Sequence, residues 1–420
     1  MAFLLYNNKL LFLPFKFYQN LMKQIFSFLL LSQTIFCQSW YRISDFPITK
    51  RDDGVGVIVN NKAYFGTGLQ EGFSITGNFA ILDLSTQTWS NTSNMPNGTE
   101  RQYACAFAGP NCFYVFGGEA GGYALNTLYK YDISTNTWGN KSSKPGNGLN
   151  GASCMPFGDK VIFVGGKDDI GTVHDEVWEY SISQDAWTQK NNIPFGGRWR
   201  ASASTLNNSG YLLFGRDNNG SFRKELLKYN PVNDTWTSIM DFPQPKGRAY
   251  AALQTINNKL ILYGGYDTTN AYYNDAWLYD EAQNSWSLEA SMPSFGRKGG
   301  MSCSANGKFY YSCGINQQDR RLNETWVLDV PLGIDEKNKT STFSLFPNPF
   351  TDFIYVSGIN EKPKIYSYTI HDLMGNDILS KKNIDGGFFE INTQEIRSGI
   401  YILRLFSTGN LIGVIKIVKE

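Results

Sequence analysis

The chain has 420 residues, 42% of them hydrophobic, 15% aromatic and only 18% charged. With 38 basic residues against 37 acidic, the formal net charge is +1, which gives no sign of a polyanion partner such as nucleic acid. The length exceeds one ordinary domain, and 41 glycines beside 24 tyrosines and 29 phenylalanines point to many short strands joined by tight turns.

Residues 1–38 read as a signal region. An apolar run over residues 1–21 is broken by Asn7, Asn8, Lys9, Pro14 and Lys16. From Met22, Lys23 supplies a basic head and Ile25 to Leu31 an apolar core, followed by polar residues. That is the shape of a secretory signal, too short to span a bilayer as a helix. Met22 is the expected start, with cleavage near Cys37 or Gln38; the alternative is an anchoring N-terminal helix. Thr34-Ile35-Phe36 lacks the small residues that precede a lipidated cysteine.

Residues 39–331 carry a repeat of about fifty residues. A Trp is followed seven residues later by Pro in six places: Trp40/Pro47, Trp89/Pro96, Trp138/Pro145, Trp187/Pro194, Trp236/Pro243 and Trp286/Pro293. The tryptophans are spaced by 49, 49, 49, 49 and 50 residues. An Asp, Ser or Asn sits six residues before most of them, usually after an aromatic, as in LYKYD and AWLYD. Earlier in each unit an apolar run ends in glycine, as in FYVFGG and LILYGG, after a run of small residues such as YACAF or ASAST. Each unit therefore predicts four short strands, a to d: a is rich in small residues, b ends in glycine, c carries the Tyr-Asp and d begins at Trp. Four strands at this period describe a propeller blade, with small residues at the crowded centre and the Trp filling space between twisted sheets.

The Gly-Gly, Tyr-Asp and following Trp resemble the kelch family over residues 39–331, and the resemblance implies a toroid of blades around a channel. The last unit has strands a to c (GMSCSA, KFYYSCG, ETWVLDV) but no Trp-x6-Pro strand after them. The orphan segment SWYRISDFP at residues 39–47 is expected to supply it. The expectation is thus an all-β chain whose six-bladed propeller is closed by its N-terminal strand, leaving no open edge.

Cys105/Cys112 and Cys303/Cys313 each flank an expected hairpin turn, so a disulfide within each hairpin is one reading. Small buried hydrophobes are the other and the favoured one, and no pair has zinc-site spacing. Residues 332–342 read as a polar linker. Residues 343–420 lose the Trp repeat and alternate in a half-buried strand pattern, predicting a small immunoglobulin-like β-sandwich. Pro347-Asn348-Pro349-Phe350, the run from Gly399 through Tyr401 to Leu405, and the basic Lys416 and Lys419 resemble the type A sorting domain of the type IX secretion system. That resemblance implies a Bacteroidetes-like host, export by that machinery, removal of the tail, and a secreted or outer-membrane surface location. An ordinary accessory domain is the alternative.

The d-to-a connections and the b-to-c loops should share one face, at the channel mouth. There Arg51, Arg101, Arg198, Arg248 and Arg297 recur four or five residues after the Pro, with Asn150 in the third unit. A ring of arginines could grip carboxylates or other anions, or could bond backbone carbonyls inside the fold. Tyr123, His174 and Tyr266, on the b-to-c loops, are further candidates for ligand contact, against the plainer reading of a solvated rim. The predicted function is recognition of a glycan or protein partner by this face of a monomer. Catalysis is the lesser expectation. The copper site of galactose oxidases needs two histidines and a Tyr-Cys crosslink, whereas His174 is the only histidine outside the tail, so that chemistry is rejected. No metal or cofactor is expected. Sugar isomerisation in the manner of secreted kelch sialic acid mutarotases remains the alternative, without a residue pair to carry it.

Overall fold

The computed structural model describes residues 5–6, 9–10, 39–330, 344–357, 365–372, 375–385, 389–407 and 410–420. The predicted signal core, Ile25 to Leu31, and the linker at 332–342 lie outside them. All regular structure among the described residues is β-strand. The chain divides into two compact units, Met1–Pro331 and Leu332–Glu420.

The first unit contains six four-stranded antiparallel sheets, one per Trp period. Their a strands are Val55–Val59, Cys105–Gly109, Ser153–Phe157, Ser202–Leu206, Ala252–Ile256 and Met301–Ala305. In the sixth sheet the fourth strand is Ser39–Ile43, paired antiparallel with Thr325–Asp329 and with Trp40 opposite Leu328. Each a strand contacts the next in order, and the sixth contacts the first.

The motif residues join neighbouring sheets. In units two to five the Trp lies across from the Tyr of strand c, as Tyr131↔Trp138 and Tyr180↔Trp187 show. Five of the six indoles also donate to a carbonyl of the preceding unit: Trp89 to Ser44, Trp138 to Ser93, Trp187 to Ser142, Trp236 to Asn191 and Trp40 to Ala290, at 2.7–3.3 Å. The buried Nε1 of Trp286 finds no partner among the described residues. The Tyr hydroxyls lock the c-to-d turns, donating to Asn136, Asp185, Asp234 and Asn284 at 2.5–2.8 Å. Strand b is the most enclosed, with Cys112–Phe116 buried throughout.

Neither hairpin pair is linked, and Cys112, Cys303 and Cys313 are buried thiols, in line with the favoured reading. The register explains why: Cys105 stands opposite Phe116 and Cys112 opposite Gly109, while Cys303 stands opposite Tyr310.

The second unit has a three-stranded sheet (Ser344–Phe346, Phe353–Ser357, Phe389–Asn392) and a four-stranded one (Ile365–His371, Asp377–Asp385, Gly399–Ser407, Asn410–Lys419). They share one core that includes Phe350, Ile354, Tyr368, Ile391, Leu403 and Ile417.

Candidate functional site

The repeated arginines do not form an open collar. All five are at most 1% exposed. The backbone carbonyl of each accepts a bond from the final glycine of the preceding sheet: Gly314 to Arg51, Gly68 to Arg101, Gly166 to Arg198, Gly215 to Arg248 and Gly265 to Arg297, at 2.8–3.0 Å. That glycine holds a positive φ, and at Gly118 an added Cβ would sit 2.5 Å from the Gln102 carbonyl. Each side chain then turns into its own sheet, so the residue clasps two sheets together. Arg51 donates to the carbonyls of Thr67 and Asn78, and Arg101 to those of Gly117 and Thr127. Arg198 pairs with Glu225 at 3.3 Å, Arg248 grips Asp275 through two bonds of 2.6 Å, and Arg297 reaches Glu324 at 2.6 Å. Burial lowers Arg51 and Arg101 to about 10, leaving both charged at neutral pH. Burial pushes the Glu324 carboxyl up, but bonds from Arg297, Ser294 and Trp326 win and hold it at about 2.

In the third unit Leu149, not Asn150, occupies the register of the arginines, because Gly118 donates to the Leu149 carbonyl. The missing cation comes from elsewhere. Lys144, 1% exposed, stands where the other units place Phe, Met or Ile before the Pro. Its ammonium lies 3.4 Å from Glu176 and 4.8 Å above the Trp178 ring.

Two residues beyond each clasp lies a second ring. Asp53, Tyr103, Gly151, Arg200, Tyr250 and Gly299 all have φ between 57° and 65°. Each amide donates to the carbonyl of the previous member, and Asp53 donates to Gly299, so six bonds of 2.6–3.4 Å return to their start. Holding a Tyr or Arg in this conformation costs about 1–3 kcal/mol, which the surrounding bonds must offset. The two glycines leave room for the Arg200 side chain to reach Asp53, the member three places away, and form an ion pair. The guanidinium lies between the Tyr103 and Tyr250 rings, 4.6 and 3.8 Å from their centroids. Burial pushes the Asp53 carboxyl well above its usual range, against the pull of Arg200. Beyond this ring the a strands line a cavity of about 410 Å³.

The residue before each ring member bridges to a b-to-c loop: Gln102 to Glu119, Asn150 to Lys167, Trp199 to Arg216, Ala249 to Tyr266. These bridges assemble a half-buried cluster of rings and cations. Trp199 is fixed by a 2.7 Å bond to Asn150. Lys167 lies 4.1 Å over Trp199, and Arg216 lies 5.6 Å over Trp199 and 5.4 Å over Phe222. Lys298 is 4.2 Å from the Tyr266 ring and 5.2 Å from Tyr250 and Tyr272. Trp199 touches Tyr250, and Tyr266 touches Phe222, Tyr250 and Tyr272, so the patch is continuous. Among the described residues Lys167, Arg216 and Lys298 have no carboxylate within ion-pair distance, unlike Arg321, whose Nε donates to Asp52 at 2.6 Å.

Residues 37–214 and 151–347 match the KLHDC2/KLHL20/DRC7 Kelch-repeats domain. The chain belongs to the kelch family. The solved structure of YjhT superposes with a TM-score of 0.60 at 18% identity, covering 67% of this chain and 95% of that one, and it shares the fold. No curated protein matches. Residues 344–420 match the Secretion system C-terminal sorting domain, a type IX sorting tail that directs the kelch protein to the cell surface or the medium.

Of the residues expected at the kelch mouth, Tyr266 joins the cluster. Tyr123 projects from a loop tip and is 68% exposed. His174 is tied to its own loop, its Nε2 bonded to Asp168 at 2.9 Å. Asp53, Lys167, Trp199, Arg200, Arg216 and Lys298 were not legible as site residues. The available signal was departure from the repeat, since Arg200 stands where other units have Asp, Tyr or Gly.

The sorting residues join two ends of the tail. The Asn348 side chain donates to the Lys416 carbonyl and accepts from the Val418 amide, both at 2.9 Å. Lys419 bonds the Thr351 carbonyl, and the Tyr401 hydroxyl donates to Arg397 at 2.8 Å. Pro347 and Pro349 flank Asn348, and Gly399 opens the strand opposite Lys419.

Proposed function

We propose that the exported kelch domain is a closed six-bladed propeller whose mouth binds a carboxylate-bearing glycan. The cyclic amide ring and the pairing of Ser39–Ile43 with Thr325–Asp329 support the closed count. The shared core of the tail's two sheets supports an immunoglobulin-like sandwich there. Binding rests on one observation: three cations without carboxylate partners among the described residues, Lys167, Arg216 and Lys298, lie against a continuous aromatic surface formed by Trp199, Tyr250, Tyr266, Phe222 and Tyr272. Sugar rings stack on such faces, and a carboxylate is the group that guanidinium and ammonium donors satisfy.

The test is a glycan array carrying uronic and other acidic sugars beside neutral ones. The wild-type protein should retain acidic glycans, and Arg216→Ala with Lys298→Ala should lose that signal at least tenfold. Equal retention by the double variant, or preference for neutral sugars, would refute the reading. The sugar-isomerase alternative draws support from Asp53, the carboxyl raised by burial beside Arg200, and is tested by whether the same protein speeds anomer exchange in a bound acidic sugar.

A further inference from the structure

Cys105 and Cys154 face each other across one sheet junction. Cys105 opens the a strand of the second sheet and Cys154 is the second residue of the a strand of the third. Both belong to the apolar cluster between these sheets, and both line the central cavity. The Cys154 sulfur lies 3.4 Å from the carbonyl of Ala106, the residue next to Cys105, and the two thiol side chains interact. Their positions are two residues after Tyr103 and three after Gly151 in the amide ring. The repeat offers the same two positions at the other five junctions, where they hold pairs such as Ser202/Leu253 and Ala252/Ser302 and no thiol. Cys112 stands at the far end of its hairpin from Cys105, and the buried Cys303 lines the cavity in a different sheet.

We propose that Cys105 and Cys154 form a disulfide in the exported protein, a staple between the second and third sheets. Export takes the chain through an oxidising compartment, where paired thiols are not held reduced. The thiolate of one cysteine attacks an exchangeable disulfide, carried by a thiol oxidase or a small molecule, and forms a mixed disulfide. The second thiolate displaces it. One S–S bond forms, two thiol protons are released, and the two electrons reduce the oxidant to a pair of thiols. The bond closes a loop of about fifty residues in the chain, which restricts the unfolded state more than the short hairpin pairings would.

The experiment is peptide mapping of the full chain recovered outside the cell, alkylated at once under non-reducing conditions. A linked 105/154 peptide, lighter by two hydrogens than its reduced halves, is the expected result. Reduction should lower the melting midpoint by about 5 °C. The Cys105→Ser/Cys154→Ser variant should show no shift on reduction. Complete alkylation of both thiols, even after incubation with oxidised glutathione, would overturn the proposal, as would linkage of either residue to Cys112 or Cys303. The wild-type map decides the matter even if the double variant fails to fold.

Discussion

Arg248 and Arg216 lie side by side in the fold, since Gly215, the residue before Arg216, donates its amide to the Arg248 carbonyl. Arg248 is sealed between two sheets and spends its guanidinium on Asp275 and the Gly264 carbonyl. Arg216 rests half-buried against Trp199 and Phe222, with its Nε unsatisfied and no carboxylate in reach among the described residues. The difference separates two jobs. A cation that recurs with the period of the repeat must solve a problem every junction shares, and here that problem is holding consecutive sheets together. A cation confined to two units, as Arg216 and its counterpart Lys167 are, is free of that duty.

The contrast is broken most forcefully at the clasp. Arg248→Ala should cost about 3–5 kcal/mol in denaturant unfolding, because Asp275 is left as an uncompensated charge. If the loss is below about 1 kcal/mol, the clasp is not structural. Next comes acid. The folded Glu324 carboxyl sits at about 2 against an ordinary 4.5, so its stabilisation is complete above the unfolded value and fades as pH falls through the folded one. We expect on the order of 3 kcal/mol to disappear between pH 5 and about 2, and a Glu324→Gln variant to lose most of that extra acid sensitivity. The smallest effect belongs to the mouth. Arg216→Ala should shift stability by no more than about 0.5 kcal/mol while weakening acidic-glycan binding. A large stability loss there would erase the distinction.

The strand plan was legible because it rests on period: the Trp-to-Pro spacing, the glycines and the Tyr-Asp fall in the same phase, and each maps onto a contact that repeats. The clasping role of the arginines was only half legible. Recurrence identified the positions, but a guanidinium bonded to carbonyls and one open to solvent leave the same mark in a sequence. Leu149 shows the limit, because loops of unequal length hid the true register and made Asn150 appear to be the substitute. Lys144 was invisible for a related reason: it stands in an apolar position and serves a carboxylate from a different one. The mouth cluster was the least legible: Trp199 and Lys298 each follow a clasp arginine and Arg216 follows a strand-b glycine, but which ring and which cation meet across the bridges is set by the fold.

The pairing of Tyr41 with Val327 joins positions separated by nearly the whole repeat. During synthesis the earliest of these strands must wait, without its partner, until the latest has been made. Closing so long a span is entropically slow, which lowers the rate at which the finished state is reached.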